Sequence, residues 1–242
     1  MKLFVNDLTV MDFSYLCPKR GMVGESWIVD IVLDGGLNEE SMVQDFGKVK
    51  KELKHVIDEY IDHKLVVPAD NSCTTITHDE SHERVQVDFY YQHEGAEKEN
   101  SMHLYCPPEA YAFVYANEVN MSSLTDYLKE VIKIHLPENV HSVALFLREE
   151  VIPTDFYHYT HGLKKHDGNC QRIAHGHRSK VLIFEDGKES ETYQNYWSKR
   201  WADIYIGTQE DLVSPEQLIF AHENINNDGF YCFKYEASQG EF

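Results

Sequence analysis

The chain repeats itself, and the repeat constrains its fold more than any other feature. The stretch GESWIVDIVLDGG at 24–36 is matched by HGHRSKVLIFEDG at 175–187, and both close on Asp-Gly. TDFYHYTHGL at 154–163 resembles the first strand, and GFYCFKYEASQGEF at 229–242 echoes VDFYYQHEGAEKEN at 87–100. Self-similarity of this kind marks a repeated supersecondary unit. The boundary falls near Glu150, giving copies over 1–150 and 151–242. After Phe89, 61 residues run to Glu150, whereas nine follow Phe233. The second copy is therefore expected to be C-terminally incomplete.

Within the first copy, Leu3–Val10 and Trp27–Leu33 are apolar or β-favouring and end in polar or glycine-containing sequence. They predict a hairpin, with SYLCPKRGMVGES as its connection. Val43, Phe46, Val49, Leu53, Val56, Ile57, Tyr60 and Ile61 fall at helical spacing, and Pro68 marks the far end. Val85, Val87, Phe89 and Tyr91 then alternate, HEGAEKEN turns the chain, and SMHLYC returns it. A second helix over Ser122–Ile134 and a last strand in HSVALFLREE follow. This order predicts an α+β layer, with helices on one face of an antiparallel sheet.

Charge and composition exclude several classes. A formal net charge of −19 argues against nucleic acid as a partner. No run approaches the length of a membrane span, and MKLFVNDLTVMDF has no signal-peptide pattern. Five cysteines (Cys17, Cys73, Cys106, Cys170, Cys232), an odd number without close pairing, suit a reduced, cytoplasmic chain. The charge is uneven, however. Lys164, Lys165, Arg172, Arg178 and Lys180 stand against Asp167 alone in 161–180, as an anion-attracting patch or as a solvated loop.

Histidine is concentrated in the same region: His158, His161, His166, His175 and His177 are five of the 14. If HGHRSKVLIF is a strand, His175 and His177 project to one side, and Gly176 leaves room on the other. His161, in YTHGL, is placed to join them from a neighbouring strand. Three imidazoles with a fourth position open form a catalytic zinc arrangement; the spacing equally suits a polar surface strand. Cys170 precedes these histidines. Beside zinc and Arg172 its pKa would fall and give a thiolate, or it packs as a small hydrophobe. Asp62 and His63 close the first predicted helix, as a reactive pair or as a solvated cap.

A cysteine, a short gap, His-Gly-His, and a helix that opens on Asp-Phe and ends in Asp-His resemble the 6-pyruvoyltetrahydropterin synthase family, which includes the bacterial 6-carboxytetrahydropterin synthases. The resemblance implies a tandem T-fold (tunnelling fold). It implies zinc on His161, His175 and His177, Cys170 as the catalytic thiol, and Asp62 with His63 as the catalytic pair. It also implies that Glu149, in VALFLREE, holds the pterin ring of 7,8-dihydroneopterin triphosphate. The product is then a 6-pyruvoyl or a 6-carboxy tetrahydropterin, the second pointing to queuosine biosynthesis in a bacterium. T-folds form closed rings, which implies a homo-oligomer.

Each copy departs from that pattern. Ser14 stands near the place of His161, with Val23 and Glu25 at those of His175 and His177, so the first copy should not bind zinc. The second copy lacks Asp-His, because the corresponding YIGTQEDLVSPEQ offers no histidine. In the family the cysteine and the Asp-His pair come from adjacent subunits. A fused pair that divides the parts can therefore complete a site at one kind of interface and leave the other inert. The basic stretch Lys164–Lys180 is expected to meet the triphosphate. The competing expectation is a catalytically inactive zinc- or pterin-binding T-fold protein with a regulatory or assembly role.

Overall fold

Alternating burial along the first 35 residues produces two long strands, β1 (Lys2–Cys17) and β2 (Gly21–Gly35). They pair antiparallel from Lys2↔Asp34 to Cys17↔Gly21. The expected long connection is therefore mostly strand. Only Pro18–Arg20 turn, and Gly21 takes the left-handed φ of 83° that lets the second strand start at once. The computed structural model describes residues 1–220 and 229–242.

The main sheet grows on both sides of this hairpin. β3 (Leu65–Pro68) and β7 (Tyr111–Val114) add in parallel beside β1, and β8 (Val140–Glu149) adds antiparallel to β2, giving the order β7-β3-β1-β2-β8. Two helices, α1 (Phe46–Tyr60) and α2 (Met121–Ile134), cover one face. Val49, Leu53, Val56 and Ile57 of α1 and Leu124, Leu128 and Ile132 of α2 are buried against Met11, Phe13, Val29, Ile31 and Leu33. Their spacing is that of one helical face, which explains why these segments are helices. Asp45 caps α1 by accepting a hydrogen bond from the Lys48 amide at 2.8 Å.

The predicted RVQVDFYY–SMHLYC hairpin is present but stands apart from the main sheet. β5 (Val85–Tyr91) and β6 (Asn100–Cys106) join β4 (Thr74–His78) in a separate antiparallel sheet. Val85, Val87 and Phe89 form a second core with Leu16, Leu65, Ile173, Tyr235 and Phe242.

Residues 156–206 follow the pattern of residues 2–68. β9 (Phe156–His161) and β10 (His175–Lys180) pair antiparallel. A small ribbon, β11 (Phe184–Glu185) with β12 (Lys188–Glu189), leads to α3 (Glu191–Arg200). β13 (Ile204–Ile206) then pairs in parallel with β9, as β3 does with β1. GFYCFKYEASQGEF does not copy β5. Its last residues form a tight hairpin, β14 (Glu236–Ala237) with β15 (Gly240–Glu241), because Tyr235 and Phe242 insert into the second core. Among the described residues no helix is long and apolar enough to cross a membrane.

A candidate metal and acid–base centre where two hairpins cross

The β9–β10 hairpin lies across the β1–β2 hairpin, and the two meet backbone to backbone. A Cβ on Gly24 would sit 1.9 Å from the Tyr159 carbonyl oxygen, and one on Gly176 would sit 2.5 Å from the Gly24 Cα. Glycine at both positions is what allows the approach. Beside them the hydroxyls of Ser14 and Thr160 share a buried hydrogen bond of 2.8 Å.

The registers make this crossing close to two-fold. Gly24 faces Ser14 in its own hairpin, and Gly176 faces Thr160. Superposing the glycines matches Tyr15 with His161, Val23 with His175, Glu25 with His177 and Asp12 with His158. Tyr15, rather than Ser14, therefore stands at the place of His161. Leu65 faces Ser14 and Tyr205 faces Thr160 through the parallel strands, which matches Asp62-His63 with Ala202-Asp203. This lies upstream of the stretch expected from sequence. Both His63 and Asp203 adopt left-handed φ values, 60° and 57°.

One end of the crossing gathers His161, His175 and His177. Their ring centroids are 4.1–5.3 Å apart, and their donor nitrogens lie within 4.8 Å of one another. His161 Nδ1 and both nitrogens of His175 are buried without a hydrogen-bond partner among the described residues. Burial, followed by the neighbouring imidazoles, pushes His175 down to about 2 and His161 to about 4. The His161 and His175 rings are thus neutral at physiological pH, with lone pairs that only a cation or a donor would satisfy, which fits a metal. His63 stacks on His175 with centroids 3.9 Å apart. Its Nδ1 is 2.5 Å from Asp62 Oδ2, while Asp62 Oδ1 accepts from the Asp12 amide at 2.7 Å and the His63 amide donates to the Asp12 carbonyl. Asp12 also accepts from Ser26 at 2.5 Å and lies 3.5 Å from His177 Nδ1. Sequence reasoning missed Asp12. Its signal was its position two residues before Ser14, on the face that meets the other hairpin.

The other end of the crossing carries different residues at the matching places. Glu25, buried, lies 3.0 Å from His158 Nδ1 and 3.4 Å from Arg178 Nε, and it accepts from Trp27 Nε1. Arg20 clasps Asp203 through two hydrogen bonds of 2.5 and 2.8 Å. Where one end has a histidine trio facing His63, this end has ion pairs.

Cys170 reaches the first end. Its sulfur, a nitrogen of His63 and one of His175 lie within 4.8 Å of one another. The expected thiolate is not what the protein alone provides: burial, then the Asp62 and Asp12 carboxylates, push the Cys170 thiol up. The C-terminal hairpin holds its loop. Buried Gln171 binds Ser238 and the Gln239 amide, and the Tyr235 hydroxyl donates to the Gln171 carbonyl at 2.7 Å. Gln171→Ala should cost about 1–3 kcal/mol by stranding the Ser238 hydroxyl and the Gln239 amide. Alkylation of Cys170 should accelerate while metal content stays constant. An unchanged alkylation rate would show that the clamp does not order the loop.

Two expected participants are elsewhere. Glu149 is 56% exposed and lies 3.4 Å from Arg178 Nη2, with the ion-paired end rather than with the histidines. The basic stretch is partly paired in place, Lys164 and Lys165 with carboxylates and Arg172 with a neutral amide. Lys164 binds Asp211 at 2.8 Å, Lys165 approaches Glu210, and Arg172 donates to Gln239. Burial alone would raise the Asp211 pKa, but hydrogen bonds from Lys164 and Thr208 hold it below the usual carboxylate range.

Residues 17–145 match the family model described as 6-pyruvoyl tetrahydropterin synthase, a stretch that includes Asp62 and His63. The chain is similar to the solved 6-pyruvoyl tetrahydropterin synthase of Plasmodium vivax, with 14% identity over 62% of this chain and 98% of that one and a TM-score of 0.43. The enzyme of Plasmodium falciparum matches at 12% identity over the same shares, with a TM-score of 0.42. Comparison with curated proteins finds no match.

Proposed function

The chain belongs to the 6-pyruvoyl tetrahydropterin synthase family, and we propose that it is a zinc-dependent pterin synthase whose one active site is shared by two T-fold copies, 1–150 and 151–242. Its fold is the α+β T-fold of that family, and membership points to a lyase-type enzyme acting on a small pterin. The observation that carries the reading is the meeting of His63 from one copy with Cys170 and His175 from the other.

The proposed substrate is 7,8-dihydroneopterin triphosphate, and the product its 6-pyruvoyl or 6-carboxy derivative. His161, His175 and His177 would hold zinc. When bound there, zinc supplies a Lewis acid that acidifies the C–H and O–H bonds next to the substrate hydroxyls. Cys170 takes a proton, and His63 shuttles it. Asp62, against His63 Nδ1, fixes the ring and compensates its charge when protonated. Because burial and carboxylates push the free thiol up, the thiolate depends on the cation beside it. Glu149 serves as pterin anchor only if the Arg178 contact opens. That contact favours the second reading, a zinc- or pterin-binding protein without turnover.

Zinc content measured together with turnover of the triphosphate, for wild type and Cys170→Ala, separates the two readings. The enzyme reading expects about one zinc per chain in both, with turnover lost in the variant. Zinc without turnover in the wild type leaves the binding reading, and no zinc removes both. Among the described residues, β7 and β8 are the edges of the main sheet with no further strand beside them, which suits closure into a ring with further copies. Light scattering should therefore give a homo-oligomer, and a monomer at working concentration would count against the ring.

A further inference from the structure

Two sets of three metal donors overlap at one residue. His161, His175 and His177 form the first set, and His63, Cys170 and His175 form the second. Among the described residues, neither nitrogen of buried His175 has a hydrogen-bond partner. A metal on the first set satisfies one of them and leaves the other stranded, a costly state for a polar atom without water. The second set lies on the side from which His63 and Cys170 approach. His63 Nδ1 is backed by Asp62, the carboxylate-behind-imidazole arrangement typical of ligating histidines, and its Nε2 is left for another partner. Cys170 is half-buried and not in a disulfide. Asp12 and Asp62 supply the negative charge that a second cation needs nearby.

We propose that His63, Cys170 and His175 form a second metal site for a thiophilic divalent cation, with His175 bridging the two ions through its two nitrogens. Binding releases the thiol proton and the remaining imidazole N–H proton to solvent as the sulfur–metal and second nitrogen–metal bonds form. The ring of His63 turns out of its 3.9 Å stack with His175 to bring Nε2 to the ion. The site belongs to excess metal. It occupies the thiol and the imidazole together and so switches off the chemistry they perform. That consequence for turnover rests on the proposed enzyme activity, whereas the binding rests only on the histidine trio holding the first ion.

The test is a titration of the metal-free full chain with Co²⁺, followed by visible and near-ultraviolet absorption. The first equivalent should give ligand-field bands without sulfur-to-cobalt charge transfer, as three imidazoles require. The second should add the charge-transfer band, for a total of about two ions per chain. Cys170→Ser and His63→Gln should each abolish the second step and keep the first, whose ligand-field bands also report that the variant is folded. In active wild type, zinc beyond the first equivalent should lower turnover about 100-fold or more, as loss of an acid–base group does. Saturation at one ion, with or without a thiolate band, overturns the two-site arrangement. So does a charge-transfer step that survives in Cys170→Ser. A chain with two ions and no turnover would keep this inference while removing the enzyme reading.

Discussion

Gly176→Ala should abolish metal binding and turnover together, although alanine adds a single methyl group and removes no ligand. The new Cβ would lie 2.2 Å from the Phe13 carbonyl oxygen, 2.4 Å from Ser14 Oγ and 2.5 Å from the Gly24 Cα. Two of these are backbone atoms inside β1 and β2, which pair with each other at Phe13↔Glu25 and Ser14↔Gly24, so they cannot rotate away. The hairpins must part instead. His175 and His177 flank the substituted residue and move with it, away from the His63 that stacks on His175. Overpacking of this kind costs about 1–3 kcal/mol or more, and a chain of this size loses roughly 2–4 °C of melting temperature per kcal/mol. Gly24→Ala should behave in the same way, with its Cβ 1.9 Å from the Tyr159 carbonyl oxygen. Gly36→Ala is the control, since nothing lies within 4 Å of its Cβ and melting should not change. Wild-type zinc content in Gly176→Ala would mean that the hairpins do not cross there.

Those two glycines also show where the sequence was legible. The repeat aligned Gly24 with Gly176, and the strands then followed from period-two burial, which needs only local information. Helices α1 and α2 were legible for the same reason. What failed depended on residues far apart in the chain. Ser14 was matched to His161 because a one-residue slip is invisible without the ladder that pairs Tyr15 with Val23 and His161 with His175. Lys164, Lys165 and Arg178 read as free cations because Asp211, Glu210 and Glu25, which neutralise them, are 45 or more positions away. The carboxylates of Asp62 and Asp12 that, after burial, push the Cys170 thiol up were equally invisible in sequence, where Arg172, two residues on, stood near it. Gln171 carried no signal at all. Its role appears only once the C-terminal hairpin folds back onto the Cys170 loop.

His63→Gln and Asp62→Asn should each lower kcat about 10²–10⁴-fold in an active wild type, the contribution of a positioned acid–base group. The zinc proposed on His161, His175 and His177 should be retained, because neither substitution removes one of those three side chains. Asn at position 62 keeps an oxygen for the Asp12 amide, 2.7 Å away, but loses the charge beside His63 Nδ1, so its effect isolates electrostatics from folding. KM should change little, because the interaction is made as the proton moves rather than as substrate binds. Loss of zinc in His63→Gln would instead make His63 a ligand of the first ion. Unaltered kcat in both variants would sink the shared site. Mixing then tests where the sharing occurs. His63 and Cys170 meet within one chain, across the crossed hairpins, so every site in a mixed ring of His63→Gln and Cys170→Ala chains carries one defect. Activity should not return on mixing. Sites completed between different chains would recover part of it, because some pairings would unite an intact His63 with an intact Cys170. Only the first outcome agrees with the crossing, whose second end matches the Asp62-His63 pair with Ala202 and Asp203, the latter clasped by Arg20.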